Sequence, residues 1–198
     1  KSKDFNFVEV DISHYDLLRE SLIKINYNNP ISEVWHMAAN SDIPGGILDS
    51  QIDLKDTFLT TMSILRLMKE FKIPTISFAS SSAIYGDLGD VKLTEDIGPL
   101  FPISNYGAMK LASEAAISSY LESYIEKAFI FRFPNVIGIP ATHGVIFDFI
   151  NKLKLNPDYL EVLGDGTQQK TYLHVEELID AMIFIRKYSK EKINYFNI

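Results

Sequence analysis

The chain has 198 residues, of which 46% are hydrophobic, a content that supports a packed core and excludes intrinsic disorder. Its 19 Lys and Arg against 26 Asp and Glu give a formal charge of −7, which argues against a nucleic-acid-binding surface and against a polybasic membrane patch. The absence of cysteine excludes disulfides, thiolate nucleophiles and zinc ribbons, and no apolar run reaches the roughly 18 residues of a membrane span.

Short apolar runs alternate with longer helical patterns along the first part of the chain. The predicted elements, in chain order, are strand 7–10, helix 15–27, strand 32–37, helix 49–71, strand 75–79, helix 106–127 and strand 128–133. This alternation is typical of a parallel sheet covered by helices on both faces. The sequence therefore predicts an α/β fold with a doubly wound parallel sheet of the Rossmann type.

The pattern changes after Pro134. The predicted elements beyond it are helix 144–155, short strands at 160–163 and 172–175, and helix 176–188. No linker separates this part from the first, so we expect a smaller mixed α/β lobe that is intertwined with the sheet. The predicted division is a domain that contains the parallel sheet over 1–134 and part of the smaller lobe over 135–198.

Ligands of open α/β sheets bind beyond the carboxyl ends of the strands. The candidate binding segments are therefore Asp11, 38–41, 80–85 and 133–138. Within the strand at 32–37, we interpret His36 as a hydrogen-bonded core histidine and Trp35 as a core residue.

A Tyr-x-x-x-Lys pattern is the strongest local feature. Tyr106 and Lys110 stand four residues apart on a predicted helix, so they share one face of it. A nearby ammonium favours the phenolate, so we expect Lys110 to lower the pKa of Tyr106 from its ordinary value near 10 and make it a usable base. Taken alone, the pair is also compatible with a chance contact on a helix surface. The residues 80–82 add three serine hydroxyls at a strand end, which could bind a substrate hydroxyl or ketone or simply cap the strand.

These motifs together resemble the extended short-chain dehydrogenase/reductase family, in its NAD-dependent nucleotide-sugar epimerase/dehydratase branch. The resemblance runs from about Val8 to Ile198. The motifs that carry it are Val10-Asp11-Ile12, residues 34–39, residues 80–86, Tyr106-x-x-x-Lys110, residues 132–138 and residues 164–168. The stretch 141–149 is most similar to members of the UDP-glucose 4-epimerase type.

The resemblance implies a tightly bound NAD and a catalytic set formed by Ser81, Tyr106 and Lys110. In that scheme Tyr106 takes the proton from the sugar 4-hydroxyl, and Lys110 lowers the pKa of Tyr106 and holds the nicotinamide ribose. Ser81 orients the hydroxyl and stabilises the ketone. A transient 4-keto sugar then turns over in the site before reduction on its other face, which epimerises a nucleotide sugar of the UDP-glucose/UDP-galactose type.

The same resemblance implies the binding residues. Those expected at the cofactor, besides Tyr106 and Lys110, are Asp11, Ile12, Met37, Ala38, Ala39, Asn40, Asp53, Phe133 and Pro134. Those expected at the nucleotide-diphosphate sugar are Ser41, Ser82, Asn135, His143 and Lys170. It further implies a cytoplasmic homodimer without a metal, without nucleic acid and without a membrane.

Three departures from the family pattern bear on activity. Dehydratases and decarboxylases carry an acidic residue two positions after the catalytic hydroxyl, where this chain has Ala83, so the sequence favours an epimerase. Lys170-Thr171 replaces the usual Arg-Asp before Tyr172, and Lys grips a diphosphate only as a point charge. Asp53 stands where the family has Asn, which weakens its assignment as a cofactor contact.

No glycine-rich phosphate loop follows any predicted strand. Because the family places that loop after its first strand, we expect the first βαβ unit to precede Lys1 and the lobe to continue beyond Ile198. The alternatives left open are another enzyme on this scaffold, such as a nucleotide-sugar reductase, decarboxylase or dehydratase, and a non-catalytic NAD(P)-sensing regulator.

Overall fold

The computed structural model describes residues 5–40, 42–141 and 144–198. The elements in chain order are α1 (Tyr15–Asn28), β1 (Glu33–His36), α2 (Ile43–Leu48), α3 (Ser50–Asp53), a π-helical stretch (Leu54–Leu59), α4 (Thr60–Phe71), β2 (Thr75–Ser81), a 3₁₀ turn (Ser82–Tyr85), α5 (Asn105–Leu121), β3 (Lys127–Phe133), β4 (Asn135–Ile137), α6 (Val145–Leu155), β5 (Tyr172–His174), α7 (Val175–Tyr188) and β6 (Ile193–Asn197). Within the described residues, no helix combines the length and apolar character that crossing a bilayer requires.

The main sheet has the strand order β1-β2-β3-β6, and every neighbouring pair is parallel. The predicted parallel α/β sheet is therefore confirmed. β2 and β3 pair along their whole lengths, from Thr75 opposite Lys127 to Ser81 opposite Phe133. Because the two strands run in register, Ser81 and Phe133 end at the same edge of the sheet.

One hydrophobic core lies between the sheet and helices α1, α4 and α5. Alternate residues of β2 and β3 face it, as the period of two in a strand requires. The side chains that form it include Leu18, Leu65, Met68, Ile76, Phe78, Ile117, Leu121, Ala128 and Ile130. This packing fixes α5, which carries the Tyr-x-x-x-Lys pattern, against β2.

The predicted helix 49–71 is interrupted in the structure. Asp49 caps the short α3 by accepting from the backbone N–H of Gln51, and the π-helical stretch then leads into α4. A π-helical turn changes the direction of the side chains that follow it and often marks functional positions. The sequence pattern did not predict this π-helical stretch, because the apolar residues on either side of it keep the three- and four-residue spacing of an α-helix.

Three other expectations are wrong. Residues 7–10 and 160–163 form no strand, since no described strand lies beside either segment to share backbone hydrogen bonds. Trp35 is 40% exposed rather than in the core. Its side chain points to the opposite face of β1 from Val34 and His36, and its ring stacks on Phe131 at 6.4 Å between centroids.

The chain divides into two compact units. The first is Lys1–Phe133 together with Arg186–Ile198, and its final segment supplies β6 to the main sheet. The second is Pro134–Ile185, in which β4 pairs in parallel with β5 from Asn135 opposite Tyr172. The boundary between the units lies between Phe133 and Pro134, and residues 186–198 belong to the first unit rather than to the second.

Candidate active site

Ser81 ends β2 and begins the turn that follows it. Its hydroxyl accepts a hydrogen bond from the backbone N–H of Ala83 at 3.1 Å, which caps the 3₁₀ turn Ser82–Tyr85. The side chain is half-buried, and it also forms a hydrogen bond with the phenol of Tyr106. The structure therefore brings this strand-end serine and the tyrosine together.

Tyr106 is held at the start of α5. Ser104 caps this helix by accepting from the backbone N–H of Gly107 at 3.1 Å. A Cβ at Gly107 would come within 2.5 Å of the carbonyl oxygen of Ala83, so only glycine lets the helix approach the turn this closely. The Tyr-Gly pair thus brings the phenol to Ser81.

Lys110 is buried one turn further along α5. Its ammonium donates to the carbonyl oxygen of Ala79 at 2.5 Å and lies 4.8 Å from the ring centroid of Phe78. Burial lowers the pKa of Lys110 to about 8, although Glu114 acts in the opposite direction. The ammonium is 5.7 Å from the ring centroid of Tyr106, so the two residues share a site as their spacing predicts.

The pKa of Tyr106 differs from the expectation. Burial raises it above the ordinary 10.0, the hydrogen bond with Ser81 opposes this, and the charge of Asp53 raises it further. The predicted lowering by Lys110 is thus absent in the protein alone, where burial of the phenol is the largest influence on its pKa.

A buried polar network behind the site was not predicted. Glu114 forms an ion pair with Arg132 at 2.9 Å and accepts a hydrogen bond from Ser80. Arg132 also donates to the Tyr85 hydroxyl at 2.8 Å. Glu114 follows Lys110 by four residues, and this spacing could have placed it on the same helix face. The network connects β2 and β3 to helix α5 near the carboxyl ends of the two strands.

A second cluster lies at the loop after β1. The backbone N–H of Asn40 donates to the Thr57 hydroxyl oxygen at 3.2 Å, and the side-chain amide of Asn40 donates to Asp53 at 2.8 Å. His36 is buried and shares a 3.0 Å hydrogen bond with Thr61, which agrees with its interpretation as a core histidine. Burial, and secondarily the charge of Lys110, lower the pKa of His36 to about 3, so it is neutral at physiological pH.

The remaining expected cofactor residues of the first unit surround these clusters. Asp11 is exposed, accepts from the backbone and hydroxyl of Ser13, and lies 3.5 Å from the Lys55 ammonium. The Ser13 hydrogen bonds are the main reason that the pKa of Asp11 is lowered. Ile12 packs against the core, whereas Met37 and Ala38 are exposed, Ala39 and Phe133 are half-buried, and Ser82 is exposed.

In the second unit, Pro134 is half-buried and Asn135 is exposed. The Asn135 side chain donates to the carbonyl oxygen of Thr171 at 3.2 Å, beside the exposed Lys170. Ser41 and His143 lie outside the described residues. Among residues 5–40, 42–141 and 144–198, no group of three or more His, Asp and Glu side chains could hold a metal ion.

The donor set of the first unit fits the dinucleotide that the resemblance implies. An ammonium has three N–H donors, and the structure assigns one donor of Lys110 to Ala79, which leaves donors for ribose hydroxyls. The Asp11 carboxylate is an exposed acceptor for an amine, and the small side chains of Ala38 and Ala39 allow close approach to the backbone after β1. The residues present are therefore compatible with NAD.

The sequence matches the profile of the NAD dependent epimerase/dehydratase family over residues 1–198. It is 31% identical to a putative UDP-glucose 4-epimerase of Methanocaldococcus jannaschii, covering 95% of this chain and 61% of that relative. Across the curated relatives it matches, the chain spans about half to three-fifths of their length.

Solved structures give the same picture. A UDP-galactose 4-epimerase superimposes with a TM-score of 0.80 at 29% identity, over 95% of this chain and 60% of that one. A UDP-glucuronic acid 4-epimerase of Bacillus cereus, in complex with UDP-glucuronic acid and NAD, superimposes with a TM-score of 0.82 at 26% identity, over 100% of this chain and 60% of that one.

Proposed function

We propose that this chain, which belongs to the NAD-dependent epimerase/dehydratase family, carries the catalytic residues of a nucleotide-sugar 4-epimerase that uses NAD. The observation that carries the proposal is the cluster of Ser81, Tyr106 and Lys110 at the carboxyl end of β2. The phenol has a hydroxyl partner on one side and a buried ammonium 5.7 Å from its ring centroid, which is a suitable arrangement for moving a proton.

The proton chemistry follows from these three side chains. Tyr106, as phenolate, accepts the proton of the sugar 4-hydroxyl and later returns it. Ser81 donates to the oxygen of that hydroxyl and then to the developing ketone, which keeps the oxygen in place as the sugar turns over. Lys110 contributes positive charge that favours the phenolate. Bound NAD supplies the hydride acceptor and donor that this chemistry needs.

The cofactor is proposed to lie along the carboxyl edge of the main sheet. Asp11 and Ile12 are assigned to the adenine end, residues 37–40 to the pyrophosphate and ribose, and Lys110 to the nicotinamide ribose. Phe133 and Pro134 are assigned to the nicotinamide end. Asp53 is buried and bonded to Asn40, so it is assigned to supporting Asn40 from behind rather than to direct contact.

The turn after β2 supports epimerisation over elimination of water. Ser82 and Ala83 follow Ser81, and neither offers the carboxylate that a dehydratase uses to move the second proton. A sugar of the UDP-glucose/UDP-galactose type is the proposed substrate, and Ser41, Ser82 and His143 are assigned to the sugar.

Two residues of the second unit are assigned to the diphosphate of the substrate. Asn135 provides an amide donor and Lys170 a positive charge. The proposal includes a cytoplasmic homodimer, which sedimentation of the intact protein tests.

Incubation of the intact protein with single sugars tests the activity. We expect UDP-glucose to be converted to UDP-galactose, and the reverse, without added oxidant or reductant, because the bound cofactor is restored in each turnover. Chromatography of the products measures it. If UDP-glucose, UDP-galactose and their N-acetyl forms all remain unchanged with NAD bound, the proposal is wrong.

A further inference from the structure

The carboxylate of Asp53 is buried at the end of α3, and one of its two oxygens has no hydrogen-bond partner. Its Oδ1 accepts from the Asn40 amide at 2.8 Å, whereas Oδ2 is the one side-chain polar atom of the described residues that is buried without a hydrogen-bond partner. Burying an acceptor without a hydrogen-bond partner is unfavourable, and more so when the acceptor is charged. Such an atom requires an explanation other than stability.

The surroundings of Asp53 keep this carboxylate close to the start of α5. A Cβ at Gly46 would lie 2.0 Å from Oδ2, so the glycine is what gives the carboxylate its space. The Asn105 side chain donates to the carbonyl oxygen of Gly46 at 2.8 Å, and Asn105 immediately precedes Tyr106. α3 itself packs against α5. Asp53 is thus held next to the helix turn that carries the proposed base.

Resting on the proposed function, we propose that Asp53 is a positioning residue whose negative charge acts on Tyr106 and sets the pH range in which Tyr106 accepts a proton. Because Oδ2 is buried and accepts no hydrogen bond, little compensates the negative charge of the carboxylate. That charge therefore interacts strongly with ionisable groups close to it. Asn at this position has the same shape and no charge. The departure from the family pattern at residue 53 thereby becomes a change in the acid–base property of the site.

The electrostatics of Tyr106 support this reading. Burial is the largest cause of its raised pKa, the Ser81 hydrogen bond lowers it, and the charge of Asp53 raises it. The Lys110 ammonium lies 5.7 Å from the ring centroid of Tyr106, and His36 is neutral at physiological pH. Glu114, Arg132 and Tyr85 form a network of their own. The other charged residues on the elements packed against α5 include Lys55, which lies 3.5 Å from Asp11, the half-buried Asp56 and the exposed Asp49.

Titration of Tyr106 without substrate tests the proposal. The intact protein is titrated by the ultraviolet absorbance of phenolate, and the signal of Tyr106 is obtained by subtracting the titration of Tyr106→Phe in the same background. In Asp53→Asn we expect the pKa of Tyr106 to fall, since a negative charge that raises it has been removed from its surroundings. Asp53→Ser, which also removes the charge, should move it in the same direction.

Asp49→Asn is the matched control. Asp49 is an exposed carboxylate four residues before Asp53, and Asn also caps helices well, so the fold and the pKa of Tyr106 should stay as they are. Unfolding of each variant by circular dichroism checks that the comparison is made between folded proteins. An unchanged pKa of Tyr106 in folded Asp53→Asn and folded Asp53→Ser would overturn the proposal.

The pH dependence of kcat separates this proposal from the proposed function. If both hold, Asp53→Asn moves the acidic limb of the profile to lower pH by the same amount as the titration. A shifted titration with an unmoved profile supports the action of Asp53 and contradicts Tyr106 as the base. An inactive wild-type protein contradicts the proposed function alone, because the titration requires no turnover.

Discussion

Lys110 is an amine enclosed by β2 and α5, with only 2% of its surface exposed. Its ammonium has a fixed acceptor in the carbonyl oxygen of Ala79, but burial still lowers the pKa of Lys110 to about 8. Burial of this ammonium destabilises the fold, but it also places a positive charge beside the proposed base. The residue therefore has a measurable signature that requires no ligand.

We predict that Lys110→Met removes a pH dependence from the free energy of unfolding. Because the folded pKa lies below the ordinary 10.5, the unfolded chain binds more protons between these values, and stability rises as pH rises through that window. Between about pH 7 and about pH 9.5 the wild-type protein should gain about 2 kcal/mol relative to Lys110→Met.

Urea unfolding at the two pH values measures this difference. Lys24→Met serves as the control, because Lys24 is exposed on α1 and its removal should leave the pH dependence of stability as it is in the wild type. If Lys110→Met and the wild type show parallel curves of stability against pH, the burial of a titrating amine at this position is contradicted.

The first turn of α5 packs very closely against the turn that follows β2. We predict that Gly107→Ala destabilises the intact protein by about 1–3 kcal/mol, even though Ala is the better helix former. The added methyl would lie 2.5 Å from the carbonyl oxygen of Ala83, a backbone atom that cannot move aside without shifting Ser81. Turnover should fall with it.

Ala115→Gly is the opposite exchange at an exposed position of the same helix. It should cost about 1 kcal/mol through helix propensity and leave turnover unchanged. Thermal unfolding and the epimerase assay measure both variants. A Gly107→Ala protein that is as stable and active as the wild type would show that the close approach of helix and turn is unimportant.

The sequence pattern predicted best the helices and strands whose apolar residues pack against other elements of the same unit. β2, β3 and α1 lie within a few residues of their predicted bounds. The strand at 7–10 failed because a strand needs a hydrogen-bonded neighbour, which a single segment does not reveal. The π-helical stretch Leu54–Leu59 failed because it leaves the spacing of apolar residues intact.

Some features of the candidate site could be predicted from the sequence, and others could not. The helical period predicts that Tyr106 and Lys110 share a face, and the resemblance adds Ser81. The raised pKa of Tyr106 could not be predicted, since it depends on how deeply the phenol is buried and on a carboxylate far away in sequence, Asp53. The Asp53 carboxylate occupies space that the missing side chain of Gly46 leaves, and no motif reports this close approach.

At the scale of the molecule, the net charge of −7 means that the proposed anionic ligands must be held by local donors. The proposed catalytic cluster of Ser81, Tyr106 and Lys110 lies in the first unit, which contains the hydrophobic core. Its central strands, β2 and β3, are paired on both sides and almost fully buried. Residues 156–171 are largely exposed and form no helix or strand.

Hydrogen exchange should therefore differ sharply along the chain. We predict that the amides of β2 and β3 exchange only through opening of the whole sheet, whereas amides of 156–171 exchange through small local openings. Peptide-resolved exchange measured by mass spectrometry checks this on the intact protein. Equal protection of the two regions would contradict the described order of stability.

The central claim is that Tyr106 performs the proton transfer of an NAD-dependent epimerase, and the most direct measurement is kcat of Tyr106→Phe alongside its content of bound NAD. We predict that kcat falls by at least about 100-fold while NAD remains bound, since only the phenolic oxygen is lost. Tyr120→Phe, on the same helix and away from the cluster, should keep full activity. A Tyr106→Phe protein that binds NAD and turns over at the wild-type rate would contradict the claim.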